Sequence, residues 1–134
     1  MKLTLQDWLT SSGRFPWRAT HIEVTEQLKT NAQAYLDKLN AVIVALYIKN
    51  AKFSSGFRPS DVNKKTPNAA LHSNHVTGHA GDLEDPRGDI YYVFALNLEL
   101  LAQHGLYMEN SKDTLGWCHT QDIAPKSGNR IFIA

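Results

Sequence analysis

Hydrophobic residues recur three or four apart over residues 24–48, and this run constrains the fold more than any other feature of the chain. Val24, Leu28, Ala32, Tyr35, Leu39, Val42 or Ile43, and Leu46 fall on one face of a helix. Such a face must be buried, so the spacing predicts a long amphipathic helix packed on a second layer. Thr20 with Glu23 reads as a capping box at its start. Residues 42–48 are rich in β-branched side chains and leave helix and strand both open.

The rest of the chain is more finely divided. Trp8, Phe15 and Trp17 sit among Ser11, Ser12, Gly13 and Pro16, which reads as a short turn or helix and a loop that lays aromatic rings on the domain. A short strand breaking at Gly56, a helix over roughly 60–65, a long ordered loop over 66–80 and a strand over 80–83 follow. A second helix is expected from Arg87 or Asp89 to Gln103, with Ile90, Phe94, Leu98 and Leu101 on one face and His104-Gly105 as its stop. Residues 106–108, 116–121 and 130–133 read as short strands. Helices separated by several short strands predict an α+β fold, a small antiparallel sheet with helices packed on it. No repeat, charge block or low-complexity stretch divides the 134 residues, so they read as one domain over 1–134.

Composition excludes several classes of function. Lys plus Arg is 14 and Asp plus Glu is 13, a net charge of +1, and Lys64-Lys65 is the one basic pair. That balance lacks the footprint of a nucleic-acid binder. The longest apolar run, residues 41–48, falls well short of the roughly 20 that a membrane helix needs. A single cysteine, Cys118, excludes an intrachain disulfide and a four-cysteine zinc site. Gln6 and Asp7 interrupt the N-terminus, so no signal peptide is read and folding in a cytoplasm is expected.

Three of the six histidines, His72, His75 and His79, fall close together in a segment rich in Gly and Asn that ends at Asp82. Neutral imidazole and carboxylate are both good zinc ligands. Gly78 and Gly81 allow the turn that brings His75 and Asp82 to one point. A third ligand has to come from elsewhere, and His119 is the best candidate. Strand alternation puts Trp117, His119 and Gln121 on one face and turns Cys118 to the other. A rival pairs His75 with His79 at helical i, i+4 spacing, but position 76 is Val where a zinc-protease helix has Glu, and Gly78 lies inside the supposed helix.

Ser73-x-His75-x-x-Gly78-x-Ala80-x-Asp82 resembles the SxHxxGxAxD signature of the M15 family of zinc D-Ala-D-Ala carboxypeptidases and L-Ala-D-Glu endopeptidases. Ser55-Gly56-Phe57-Arg58 resembles the SGxR segment upstream in that family, and Trp117-Cys118-His119 its downstream WxH segment. The match covers roughly residues 50–134 in order. Residues 117–133 are similar to the ends of phage-encoded members, with Gly128-Asn129-Arg130-Ile131-Phe132 as the tail.

The resemblance implies a Hedgehog/DD-peptidase-like fold and one Zn2+ held by His75, Asp82 and His119. It implies that Arg58 contacts a substrate carboxylate or braces the site, with Trp117 beside the substrate. Ser73 would hold the loop and His79 would support the site. Many members carry Asp or Glu three residues before the last histidine; here that position is Gly116. Glu109 and Asp113 are the replacement candidates for the acid/base. Glu109 is preferred, because residues 106–109 read as a strand end opening onto the same sheet. The expected activity is hydrolysis of peptidoglycan stem peptides, by an enzyme held in the host cytoplasm until lysis or carried in a phage particle. The competing expectation is a weakly active or inactive virion module that keeps the metal site, closed by His79 or Cys118.

Overall fold

The computed structural model describes residues 2–133. Thr4 starts the first helix, α1 (Leu5–Thr10), through a reciprocal cap in which its hydroxyl accepts from the Asp7 amide and the Asp7 carboxylate accepts from the Thr4 amide. A left-handed turn at Ser11 and Ser12 follows. Both hydroxyls there serve the next layer: Ser12 accepts from the Phe53 amide at 2.8 Å and Ser11 from the Gly56 amide at 3.0 Å. Trp8 is fully buried and its indole donates to the Ala80 carbonyl. Trp17 stays half exposed, and the rings of Phe15 and Trp17 flank the buried Arg18 guanidinium at the 3₁₀ turn Pro16–Thr20. The aromatic loop expected to cover the domain therefore buries one of its three rings.

The long amphipathic helix, α2, spans Glu26–Ala45. Its cap is Thr25, whose hydroxyl accepts from the Leu28 amide, and not the Thr20–Glu23 pair. Glu23 reaches across to the Ser60 amide and hydroxyl instead. Residues 42–45 stay helical despite their β-branching because Val42 and Ile43 are buried there. The helix gives out before Tyr47, which is left-handed.

The remaining elements are β1 (Phe53–Ser55), α3 (Ser60–Lys65), α4 (Asn74–Thr77), β2 (Ala80–Asp85), α5 (Asp89–Ala95), α6 (Leu98–Gln103), β3 (Tyr107–Glu109), β4 (Gly116–Gln121) and β5 (Ile131–Phe132). Helices and sheet together make the fold α+β. The second helix expected over 87–103 is two helices. The Asn97 side chain donates to the Val93 carbonyl at 2.8 Å, and this local bond competes with the helical ladder where the chain breaks.

The strand order is β1-β2-β4-β3-β5. β1–β2, β2–β4 and β4–β3 are antiparallel, but β5 runs parallel to β3, so the sheet is mixed and not wholly antiparallel. The chain reverses after β4 and passes over β3; two strands that both oppose β4 must share a direction.

Register decides which residues face the core. Leu83 lies opposite Cys118 and Gly81 opposite Thr120, on the face that meets α2. Tyr35 from α2 reaches Thr120 there, hydroxyl to hydroxyl at 2.7 Å. Asp82 opposite His119 and Glu84 opposite Trp117 belong to the other face. Tyr35, Leu39, Phe53, Phe57, Leu83, Phe94, Leu101 and Met108 are fully buried, each worth about 1.5–3 kcal/mol on removal from water. Among the described residues no helix is long and apolar enough to cross a membrane.

Gly81 is pressed between these layers: a Cβ there would lie 2.5 Å from a Phe53 ring carbon and 2.8 Å from the Tyr35 hydroxyl. We expect Gly81→Ala to cost about 1–3 kcal/mol through overpacking, read as a lower denaturant midpoint at unchanged slope. An unchanged midpoint would contradict this packing.

Candidate metal centre

Ser73 and Gly78 shape the first part of the site. The Ser73 hydroxyl caps α4 by accepting from the His75 amide, and Gly78 ends the helix at φ 89°. His75 is buried, and its Nδ1 lies 2.8 Å from the Gly56 carbonyl. A carbonyl can only accept, so the ring keeps a proton on Nδ1 and Nε2 is the nitrogen turned inward. Nε2 stands 3.4 Å from Asp82 Oδ2.

Asp82 and His119 come from paired positions of β2 and β4, and His119 Nδ1 is 2.7 Å from Asp82 Oδ1. His119 Nε2 is 2.8 Å from Gln121 Oε1, and the Gln121 amide nitrogen donates to the Ile123 carbonyl at 2.7 Å. His75, Asp82 and His119 each offer one donor atom, and the three atoms lie within 4.8 Å of one another. Two imidazole lone pairs and a carboxylate converging in this way fit a divalent metal ion.

The charges are mutually dependent. Burial alone would raise the Asp82 carboxyl, but the facing His75 and His119 outweigh it and hold Asp82 far below the usual carboxylate range. Burial alone would favour a neutral His119; its bond to Asp82, the Asp82 charge and Gln121 outweigh that and raise it above the ordinary histidine value. Without a metal, His119 thus has an acceptor oxygen on each nitrogen, an arrangement that favours the protonated ring. A metal ion bound there would take the place of the Nδ1 proton.

A cleft of about 750 Å³ lies over these residues, lined by Arg58, Glu109, Asp113 and Trp117 together with Gln121, Phe132 and residues 66–70 and 72–74. Arg58 enters from the segment after β1, with Nη1 on Asn63 Oδ1 at 3.1 Å and Nη2 4.0 Å from Asp82 Oδ2. β3 pairs Met108 with Thr120, and the register carried one residue on sets Glu109 opposite His119. Burial raises the Glu109 carboxyl, with Asp82 and Asp113 adding to the shift and His119 opposing it. Phe132 packs its ring edge to face with His119 at 6.1 Å.

Other expected residues lie apart from the metal cluster. His79 Nδ1 sits 2.9 Å from Asp122, which also pairs with Lys38 at 2.9 Å, so His79 faces that charge cluster and not the cleft. The helical His75–His79 pairing does not form, because α4 ends at Gly78. Cys118 is buried on the opposite face, with its sulfur 3.6 Å from that of Met108, and cannot close the site. Gly116 has φ 95°, a conformation that a side chain there would strain. His21, Glu23 and Asp61 also lie close together. There His21 Nδ1 accepts from the Glu23 amide and Glu23 accepts twice from Ser60, so these groups are engaged in bracing α3.

Sequence reasoning missed Asn63, the Gly56 carbonyl and Phe132, none of which carries a local signal. Gln121 was visible as the residue two on from His119 on the same strand face. No family model, curated protein or solved structure matches this chain.

A metal ion binding at His119 Nδ1 would have to displace a proton held more tightly than usual, so its affinity would fall as pH is lowered through and below the raised value. We expect apparent affinity for a divalent transition-metal ion to drop by up to about tenfold per pH unit in that range. Chelator competition at several pH values checks this, and pH-independent binding would remove His119 from the ligand set.

Proposed function

We propose that this chain is a zinc-dependent peptidase that hydrolyses peptide bonds in peptidoglycan stem peptides. The observation that carries the reading is the convergence of His75, Asp82 and His119 at the floor of an open cleft, in the spacing of the resembled signature. Two histidines and one carboxylate form a three-ligand set of the kind found in catalytic zinc sites.

Bound zinc supplies a Lewis acid that polarises the scissile carbonyl and acidifies water. His75 and His119 would hold it through Nε2 and Nδ1, with Asp82 as the third ligand, the other ring nitrogens being committed to the Gly56 carbonyl and Gln121. Glu109 takes a proton from the attacking water on its carboxylate and delivers it to the leaving amine. Its raised pKa suits a group that must both accept and donate. Arg58 binds a carboxylate of the peptide through its forked donors. Trp117, 38% exposed, gives the peptide a flat apolar wall. Glu109 stands in for an acid at 116, where the backbone is left-handed. The resemblance to phage-encoded members suggests a lysis enzyme or a particle-borne one.

Mass spectrometry of peptidoglycan fragments incubated with zinc-loaded protein tests the reading. We expect a chelator-sensitive mass change that also names the bond cut. Zinc bound with no cleavage across several wall types would favour a non-catalytic module. We further expect Glu109→Gln to retain zinc while lowering turnover by about 10²-fold or more. Near-normal turnover would move the proton-transfer role to Asp113 or away from side chains altogether.

A further inference from the structure

We infer that Gln121 is a positioning residue that determines which nitrogen of His119 is offered to the metal. The inference rests on the metal-centre reading above and deepens it. An imidazole on a strand can turn about its Cβ–Cγ bond and can carry its proton on either nitrogen, so an unsupported His119 would present its Nδ1 lone pair only part of the time. Among the described residues of β4, Cys118 and Thr120 point into the core, which leaves Gln121 as the neighbour on the cleft face that contacts the ring.

The direction of the Gln121 amide is itself fixed. Its nitrogen donates to the Ile123 carbonyl at 2.7 Å. Reversing the amide would set its oxygen against that carbonyl and lose the bond to Ile123. Gln121 therefore presents an acceptor, and an acceptor 2.8 Å from Nε2 requires the proton there. Nδ1, which faces Asp82, is then the nitrogen whose lone pair would be offered, once its proton is displaced, at the point that His75 and Asp82 share. The other ring, His75, is oriented by a backbone carbonyl, so Gln121 is the side chain through which this arrangement can be altered.

The test compares wild type, Gln121→Leu and Gln121→Glu in full-length protein, with zinc as the probe. Leu removes the acceptor at similar volume; Glu keeps an acceptor and removes the donor to Ile123. We expect Gln121→Leu to weaken zinc binding by about 10–100-fold in chelator competition, with Gln121→Glu recovering most of the loss. Imidazole nitrogen NMR of zinc-loaded wild type should show His119 protonated at Nε2 and not at Nδ1, a readout that needs no variant to fold. A merely structural role for Gln121 would lower the melting temperature of both metal-free variants and leave Glu as weak as Leu. Equal binding by wild type and Gln121→Leu, no recovery with Glu, or a proton on Nδ1 would each overturn the proposal while leaving the metal centre standing. Absence of zinc binding by wild type would instead remove the metal-centre reading and this inference with it.

Discussion

A buried carboxylate facing two imidazoles is the constraint on which the site depends. Asp82 lies almost out of water on the cleft face of the sheet, and its charge cannot be left uncompensated there. The surrounding groups are arranged to supply positive charge at that point, as a proton on His119 or as a cation shared with His75. Arg58, 4.0 Å away, is too far to neutralise it by a direct hydrogen bond. The resulting preference for a cation between three side chains is electrostatic before it is chemical.

That arrangement is held from behind by residues that carry no signature. The Trp8 carbonyl accepts from the Phe57 amide, the Ser11 hydroxyl accepts from the Gly56 amide, and the Arg18 guanidinium donates to the Phe57 carbonyl. A side chain at Gly56 would collide with the Trp8 backbone. The first twenty residues therefore fix the segment whose Gly56 carbonyl sets the His75 tautomer and whose next residues deliver Arg58. The Arg58 amide closes the circuit by donating to the His75 carbonyl.

Features with a local cause were readable in the sequence. The spacing from Leu28 to Ile43 reports α2 because one face of that helix meets one core. Alternation along 117–121 placed His119 and Gln121 together and Cys118 apart, since a pleat has period two. The convergence of His75, Asp82 and His119 followed from signature spacing. Features set by contacts distant in sequence were not readable. Thr25 rather than Thr20 caps α2, because Glu23 is drawn to Ser60. Asn97 splits a continuous hydrophobic pattern with one side-chain bond. The direction of β5 depends on which edge of β3 the chain reaches, and no residue in 122–130 states that. The placement of Asn63 between Arg58 and the Ala70 carbonyl likewise appears only when the chain is folded.

The cross-strand origin of the donor set has a thermodynamic consequence. In a small zinc finger the ligands lie near one another in sequence, and the ion organises a local loop. Here Asp82 and His119 meet only when β2 and β4 have paired, and His75 is aimed only when the N-terminal turn has docked behind Gly56. An ion in this position would therefore depend on contacts spread from the N-terminal turn to β4. Its free energy of binding adds to global folding, not to the stiffness of one segment. The occupancy of a site formed by a few side chains becomes a gauge of whether residues from Trp8 to Gln121 are all in place.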